Sequence, residues 1–177
     1  MSSFDELDST DIRLDRARPV LFAGAFVTAV LSLASFLDVY EFNADEGNNL
    51  IKALLVDRGH GFGDIWSDQP PLHTYLLTMV FNLVGWEVAY GRVLTLLFAG
   101  LLVFAVYQCA RSEFGHVAGC LAGLFLITSQ DFVRLSVSIM IGLPSLALAA
   151  LAAVALLQWS HTRAVRWLLL SGCLMGF

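Results

Sequence analysis

The sequence predicts an all-α, polytopic integral membrane protein with a short amphipathic helix in its first external loop. Three observations carry this prediction. Of 177 residues, 58% are apolar and only 14% are charged, whereas a soluble domain carries about 25% charged residues. Mean hydropathy is +0.73. Apolar runs of helical length recur along the chain, separated by short polar breaks. The composition excludes a disordered chain, a disulfide-rich secreted module and an ordinary cytosolic enzyme. A net charge of −5 without a basic cluster excludes a nucleic-acid partner.

A membrane helix needs about 20 mostly apolar residues to cross roughly 30 Å of hydrocarbon. Residues 1–18 read as a polar cytoplasmic tail. Pro19 to Leu37 form the first uncharged run, with Arg13, Arg16 and Arg18 just before it, and the positive-inside rule places the N-terminus in the cytoplasm. The run is too long for a signal peptide and lacks a convincing cleavage site. Further spans are expected near residues 70–86, 93–110, 117–130 and 135–160. The fourth is short, which fits a tilted or re-entrant segment. A last run, 167–177, is too short to cross a bilayer, so the chain is expected to be the N-terminal part of a longer protein. Alternation leaves residues 38–69 outside. It also puts His161, Arg163 and Arg166 outside, against the positive-inside tendency.

The polar chemistry sits near the front. Twelve of the fifteen Asp and Glu precede residue 69, and seven of them lie in the 38–69 loop beside Lys52 and Arg58. A loop of this length between packed helices points to function. Leu50, Ile51, Leu54 and Leu55 recur at helical spacing as one apolar face, with Lys52 and Asp57 off it. Asn43 is a plausible N-cap and Glu46, three residues on, completes a capping-box pattern. Gly59 and Gly61 end the segment. These features describe a helix lying along the outer membrane surface.

Asp45 and Glu46 fall in that helix's first turn, where acids favour the helix dipole by about 0.3–1 kcal/mol without any other purpose. The alternative is a carboxylate facing a cavity between spans and acting as a general base. Asp68-Gln69-Pro70-Pro71 leads into the second span, with Asp68 expected as its N-cap and the prolines suited to a first turn. His73, one turn further, faces either an interior cavity or the interface. Arg92 at the head of the third span either anchors that helix or binds an anionic phosphate. Asp131 and Arg134 are spaced to pair on one helix face. Cys109, Cys120 and Cys173 read as small buried hydrophobes, and His60 has no second ligand at helical spacing. No metal site is assigned, and a divalent metal stays open as a cofactor. The sequence contains no P-loop, dinucleotide glycine pattern, HExxH or nucleophile elbow.

The order of these features carries more than any one of them. An Arg-flanked first span leads to "NADEGNN", then "DRGHGFGDIW", then "DQPPLHTYLL", then "VGWEVAYGRVLTLLFAGLLV". From about residue 19 onward this resembles the N-terminal part of the polyprenyl-phosphate-dependent membrane glycosyltransferases. These include protein O-mannosyltransferases, lipid A aminoarabinose transferases and lipopolysaccharide glycosyltransferases. The resemblance implies a bacterial plasma-membrane enzyme that moves a sugar from a polyprenyl-phosphate-linked donor to an envelope lipid, glycan or protein acceptor. It implies Asp45 as catalytic base, with Glu46, Asp68 and Gln69 lining the cavity and Arg92 near the leaving phosphate. Many relatives carry Asp-x-Pro-Leu at the start of a later span; here "MIGLPSLAL" puts Gly142 in the acid's place. Keeping the acids at the surface fits a donor whose reactive carbon lies at headgroup depth, since a mid-membrane charge costs about 2.5–3.5 kcal/mol on insertion scales.

Two other readings stand beside the enzyme. One is a non-catalytic remnant that keeps the membrane scaffold. The other is a transporter module, against which stands the lack of any mid-depth acid or base in the spans.

Overall fold

The computed structural model describes residues 32–61, 63–65 and 69–176. Most of the first apolar run therefore lies outside the described residues, as do Trp66 and Asp68. The described chain is helical, with no strand among its residues. The protein is an all-α integral membrane protein.

After a helical end at residues 32–34 the chain turns and enters α1 (Ala44–Asp57). The helices α2 (Leu72–Val84), α3 (Val88–Phe114), α4 (His116–Thr128), α5 (Gln130–Ser136), α6 (Gly142–Thr162) and α7 (Val165–Met175) follow. The hub is α3, which packs on α2, α4, α5 and α6; α1 lies on α2, and α7 folds back along α6.

Two helices are long and apolar enough to cross a bilayer, α3 with 27 residues and α6 with 21. At 1.5 Å per residue they reach about 40 and 32 Å. The short fourth run folds as α4 and α5, bent by 73° at Ser129, so the pair forms a broken span or a re-entrant loop. The break falls where polar Ser129, Gln130 and Asp131 interrupt the apolar run. The 135–160 run is also divided. Its first residues close α5, residues 137–141 cross as an irregular strap, and the helix restarts at Gly142. The 70–86 run folds as a helix of 13 residues, about 20 Å long, against roughly 30 Å of hydrocarbon.

A lipid-facing helix has no need of a polar outer face, and α3 shows this. Thr95, Ala99 and Leu102 are buried, while Leu97 and Leu101 on its other side are exposed at 61% and 42%. The main core joins Leu33 to Leu96, Ala99 and Val103 of α3, Phe132 of α5, and Leu143 and Ala147 of α6. A second, smaller core under α1 contains Ala53, Leu77, Phe81 and Ile139.

Glycine permits one chain reversal and one close approach. Gly115 (φ +85°) is the single residue between α3 and α4, and its left-handed backbone permits that reversal. A Cβ on Gly91 of α3 would lie 2.6 Å from Ile139 Cδ1, so the missing side chain is what lets the 137–141 strap dock on α3.

Candidate functional site

The first turn of α1 forms as its sequence indicates. Asn43 is the N-cap; its Oδ1 accepts the Glu46 N–H at 2.9 Å, and Glu46 Oε2 accepts the Asn43 N–H at 3.3 Å. This capping box fixes the start of the helix. Past Asp57, Arg58 caps the helix and Gly59 takes a positive φ of 86°.

The buried face of α1 is not its apolar face. Glu46, Asn49, Lys52 and Ala53 turn inward, while Ile51 is 58% exposed. The reason is the surface beneath. The strap at 137–141 has no regular partner for its backbone, and a buried unpaired N–H or C=O costs about 1–3 kcal/mol. Asn49 Nδ2 donates to Ile139 O at 2.8 Å, and Ile139 N–H donates to Glu46 Oε1 at 2.8 Å. Two side chains one turn apart on α1 therefore satisfy both polar groups of one strap residue.

Arg92 completes the arrangement. Its Nε donates to Glu46 Oε1 and its Nη2 to Glu46 Oε2, each at 3.0 Å. Nη1 donates to Leu37 O, and Nη2 also donates to Tyr40 O at 3.1 Å. Arg92 is 5% exposed and Glu46 0%. The two Glu46 oxygens thus take four N–H donors, which fills their acceptor sites. One ion pair ties together the 37–40 turn, α1, α3 and the strap.

These facts place the residues singled out in the sequence. Asp45 is exposed on the first turn of α1, next to the clasp but outside it. Glu46 does not line a cavity, because its carboxylate is enclosed and fully engaged. Arg92 forms part of the floor of an open hollow with Asp38, Tyr40, Phe42, Val88 and Ala89, but four of its N–H bonds point inward. Gln69 accepts a hydrogen bond from Lys52 Nζ at 3.4 Å, which links the start of the α2 segment to α1. The side chain of Asp68 lies outside the described residues. The expected cap at Asp68 is not where the helix begins: α2 starts at Leu72 with Pro71 at the cap position and no side-chain cap. The proline pair sets this start, because Pro71 (φ −74°) already has helical backbone. Asp131 and Arg134 sit on α5, and no ion pair joins them among the described residues. Among the described residues no group of three or more His, Cys, Asp and Glu could hold a metal ion.

His73 is buried at 4% exposure, and neither ring nitrogen has a hydrogen-bond partner among the described residues. Thr78 on the same helix shows the ordinary solution, donating to the carbonyls of Thr74 and Ala53. His73 lines a small pocket with Pro70, Phe98, Ile141, Pro144 and Ser145.

Sequence reasoning missed Asn49 and the strap. The signal was present in the polar stripe Glu46, Asn49 and Lys52, spaced i, i+3 and i+6 on one helix face. A polar stripe facing inward needs a partner rich in unpaired backbone, and nothing in the local pattern of 137–141 announced one.

No curated protein and no solved structure matches the chain. Residues 68–177 match the family described as dolichyl-phosphate-mannose-protein mannosyltransferase. The matched stretch takes in Gln69, Arg92 and the strap at Ile139, and α1 with Asp45 lies just upstream of it. It spans more than half of the sequence, and on that ground the chain belongs to the dolichyl-phosphate-mannose-protein mannosyltransferase family of membrane glycosyltransferases.

Proposed function

We propose that the protein transfers a sugar from a polyprenyl-phosphate-linked donor to a hydroxyl of an envelope lipid, glycan or protein, with Asp45 as general base. The observation that supports this reading is the mounting of Asp45. It is an exposed carboxylate on a helix turn whose other acid is locked into a four-segment clasp. A base is effective when it is held in place and its oxygens are accessible. Asp45 takes the proton from the acceptor hydroxyl as that oxygen attacks the anomeric carbon. The bond to the polyprenyl phosphate breaks on the opposite face, so the configuration inverts and the phosphate leaves with the bonding pair.

In this reading Glu46 and Arg92 are positioning residues, because their polar atoms are spent on each other and on backbone. Asp68 and Gln69 form the opposite edge of the site, where Lys52 ties Gln69 to α1. The site faces the non-cytoplasmic side of a bacterial plasma membrane, and the N-terminus is cytoplasmic. The apolar face of α1, with Ile51 exposed and Leu50 and Leu54 half-buried, lines a groove shared with Phe81 and Trp86, which suits a helix resting at the bilayer surface.

The test is sugar transfer from a polyprenyl-phosphate donor by membranes carrying the chain or its Asp45→Asn variant. A general base contributes about 10²- to 10⁴-fold, and a loss of that order is expected at unchanged expression. Undiminished transfer by Asp45→Asn removes Asp45 from the catalytic role. One observation favours a second reading, a non-catalytic scaffold: Gly142 stands where many relatives carry an acid. Absence of transfer by both wild type and variant favours that reading.

A further inference from the structure

The two ends of α3 differ in charge. On α1, the turns beside it and the head of α3, the exposed acids are Asp38, Glu41, Asp45, Asp57, Asp64 and Glu87, against one exposed base, Arg58. From Arg92 to Arg111 the helix carries no other charge; that stretch is about 28 Å long, against roughly 30 Å of hydrocarbon. At the far end His161 Nε2 of α6 lies 3.7 Å from Glu113 Oε1 of α3, so the α3–α4 and α6–α7 turns meet. Arg111, Arg163 and Arg166 are exposed there, and Glu113 is the only acid in those two turns. Each arginine stacks on an aromatic ring: Arg111 on Tyr107 at 5.9 Å from the centroid, Arg163 on Trp159 at 5.2 Å and Arg166 on Trp167 at 5.6 Å. Phe114, Val117 and Val165 beside them are bare, at 81%, 75% and 63% exposure. Cations stacked on rings among bare apolar side chains suit headgroup depth, where phosphate meets acyl chain.

Which side this rim faces depends on α2. If the 70–86 run crosses, alternation puts Arg163 and Arg166 outside, against the positive-inside tendency. The contacts of α2 give another course. Gln69, just before it, accepts from Lys52 of α1, and Trp86 and Glu87, just past it, share a groove with Leu50, Ile51 and Leu54 of α1. Arg92, further on, is clasped by Glu46. Both ends of α2 thus meet α1, which carries exposed Asp45 and Asp57 near its own two ends. A helix charged at both ends lies along the surface, and the 13-residue helix packed on it stays there too. The strap that leads into α6 also reaches Glu46, so α6 and α3 start on the same side.

We propose that α2 rests at the outer surface with α1, that α3 and α6 both run inward, and that the arginine rim where they end binds anionic phospholipid headgroups of the cytoplasmic leaflet. Removing one crossing reverses the side of every later turn, and the conflict with the positive-inside tendency disappears. Arginine donates paired N–H groups to phosphate oxygens, and the negative surface potential of that leaflet draws it there. The exposed Phe114, Val117 and Val165 favour a lipid over a free anion, because they have acyl chains to meet. The inference shares with the sugar-transfer reading the placement of α1 outside and uses nothing of the chemistry at Asp45.

Two measurements on the full chain test this. With Cys109, Cys120 and Cys173 changed to Ser, a membrane-impermeant maleimide on intact spheroplasts is expected to label Asn48→Cys, and to label Thr162→Cys only after permeabilisation; both positions are exposed. Labelling of Thr162→Cys in intact spheroplasts overturns the proposal, and so does labelling of both only after permeabilisation. The second measurement is spin-label EPR of chain-labelled phosphatidylglycerol and phosphatidylcholine in phosphatidylcholine vesicles that hold the chain. Phosphatidylglycerol is expected to associate about fivefold more strongly. The preference is expected to vanish when Arg111, Arg163 and Arg166 are all changed to Gln, and to persist when all three are changed to Lys. Equal association of the two lipids with the wild type overturns the proposal, as does a preference kept by the Gln variant at native helicity, or one abolished by soluble glycerol phosphate at the same concentration. Both expected results in a chain whose transfer ignores Asp45→Asn sink the catalytic reading and leave the rim standing. Thr162→Cys labelled in intact spheroplasts, with transfer lost in Asp45→Asn, does the reverse.

Discussion

Two places near the start of α2 and α3 bury a titratable side chain almost completely, and they resolve it in opposite ways. Under α1, Glu46 and Arg92 satisfy each other, the capping backbone, the 37–40 turn and the strap. Beside α6, His73 is as deeply enclosed and satisfies nothing among the described residues. Burial alone therefore does not mark a functional group. A closed network is a structural device that holds something else in place, whereas an open one leaves a polar group unpaired. The resemblance implies Glu46 and Arg92 as substrate-binding residues, and the sequence leaves His73 between an interior cavity and the interface; the structure puts the pair in a closed network and the histidine in the interior.

The comparison is broken most severely at Arg92. Arg92→Met leaves a buried carboxylate facing two fixed N–H donors, from Asn43 and Ile139, and no counter-charge, and is expected to destabilise the fold by about 3–5 kcal/mol. Thermal unfolding in micelles measures this. Adding Glu46→Gln to Arg92→Met is expected to recover part of the loss, because the uncompensated charge is gone. A double variant less stable than either single one would contradict the closed-network account.

A smaller break is Asn49→Ala, which orphans the Ile139 carbonyl and costs about 1–3 kcal/mol. Hydrogen exchange sharpens it: protection of the Ile139 N–H is expected to fall more than protection inside α3, because the strap opens locally. Gly91→Ala pushes on the same strap from the α3 side. Its new Cβ would lie 2.6 Å from Ile139 Cδ1 and 3.2 Å from Phe81 Cζ. Those are the ends of side chains, so the expected cost is about 1–2 kcal/mol. The smallest effect has the opposite sign. His73→Phe replaces an unpaired polar ring with an apolar one of similar size, and is expected to raise stability by about 1 kcal/mol. Equal losses at His73 and Asn49 would erase the distinction between the two places.

Much of α1 was legible because its determinants are local. Asn43, Glu46 and Gly59 act within one helix turn of themselves, so capping chemistry places both ends. The inward face was not legible. Leu50, Ile51, Leu54 and Leu55 give the apolar stripe, and in water that stripe would be the buried one. At a membrane surface the rule weakens, since an apolar face has somewhere else to go, and the polar stripe packs against the strap instead. The start of α2 shows a related effect: Pro71 carries the helix start three residues past Asp68.

The site divides along the same line. Asp45, Glu46, Gln69 and Arg92 could be picked out from residue type and order. Their separation into one exposed acid, one buried pair and one tethered amide could not, because it depends on residues 37–40 and 139 meeting residue 92. No periodicity links positions so far apart.

By itself, the chain's composition determines that it folds as helices in a membrane. Apolar runs must satisfy their own backbone where there is no water, and a helix does so within each segment. Its local motifs determine where α1 begins and ends. Only the tertiary structure decides which buried polar groups are complete. Completion is a count of donors and acceptors brought from distant segments, closed at Glu46 and still open at His73.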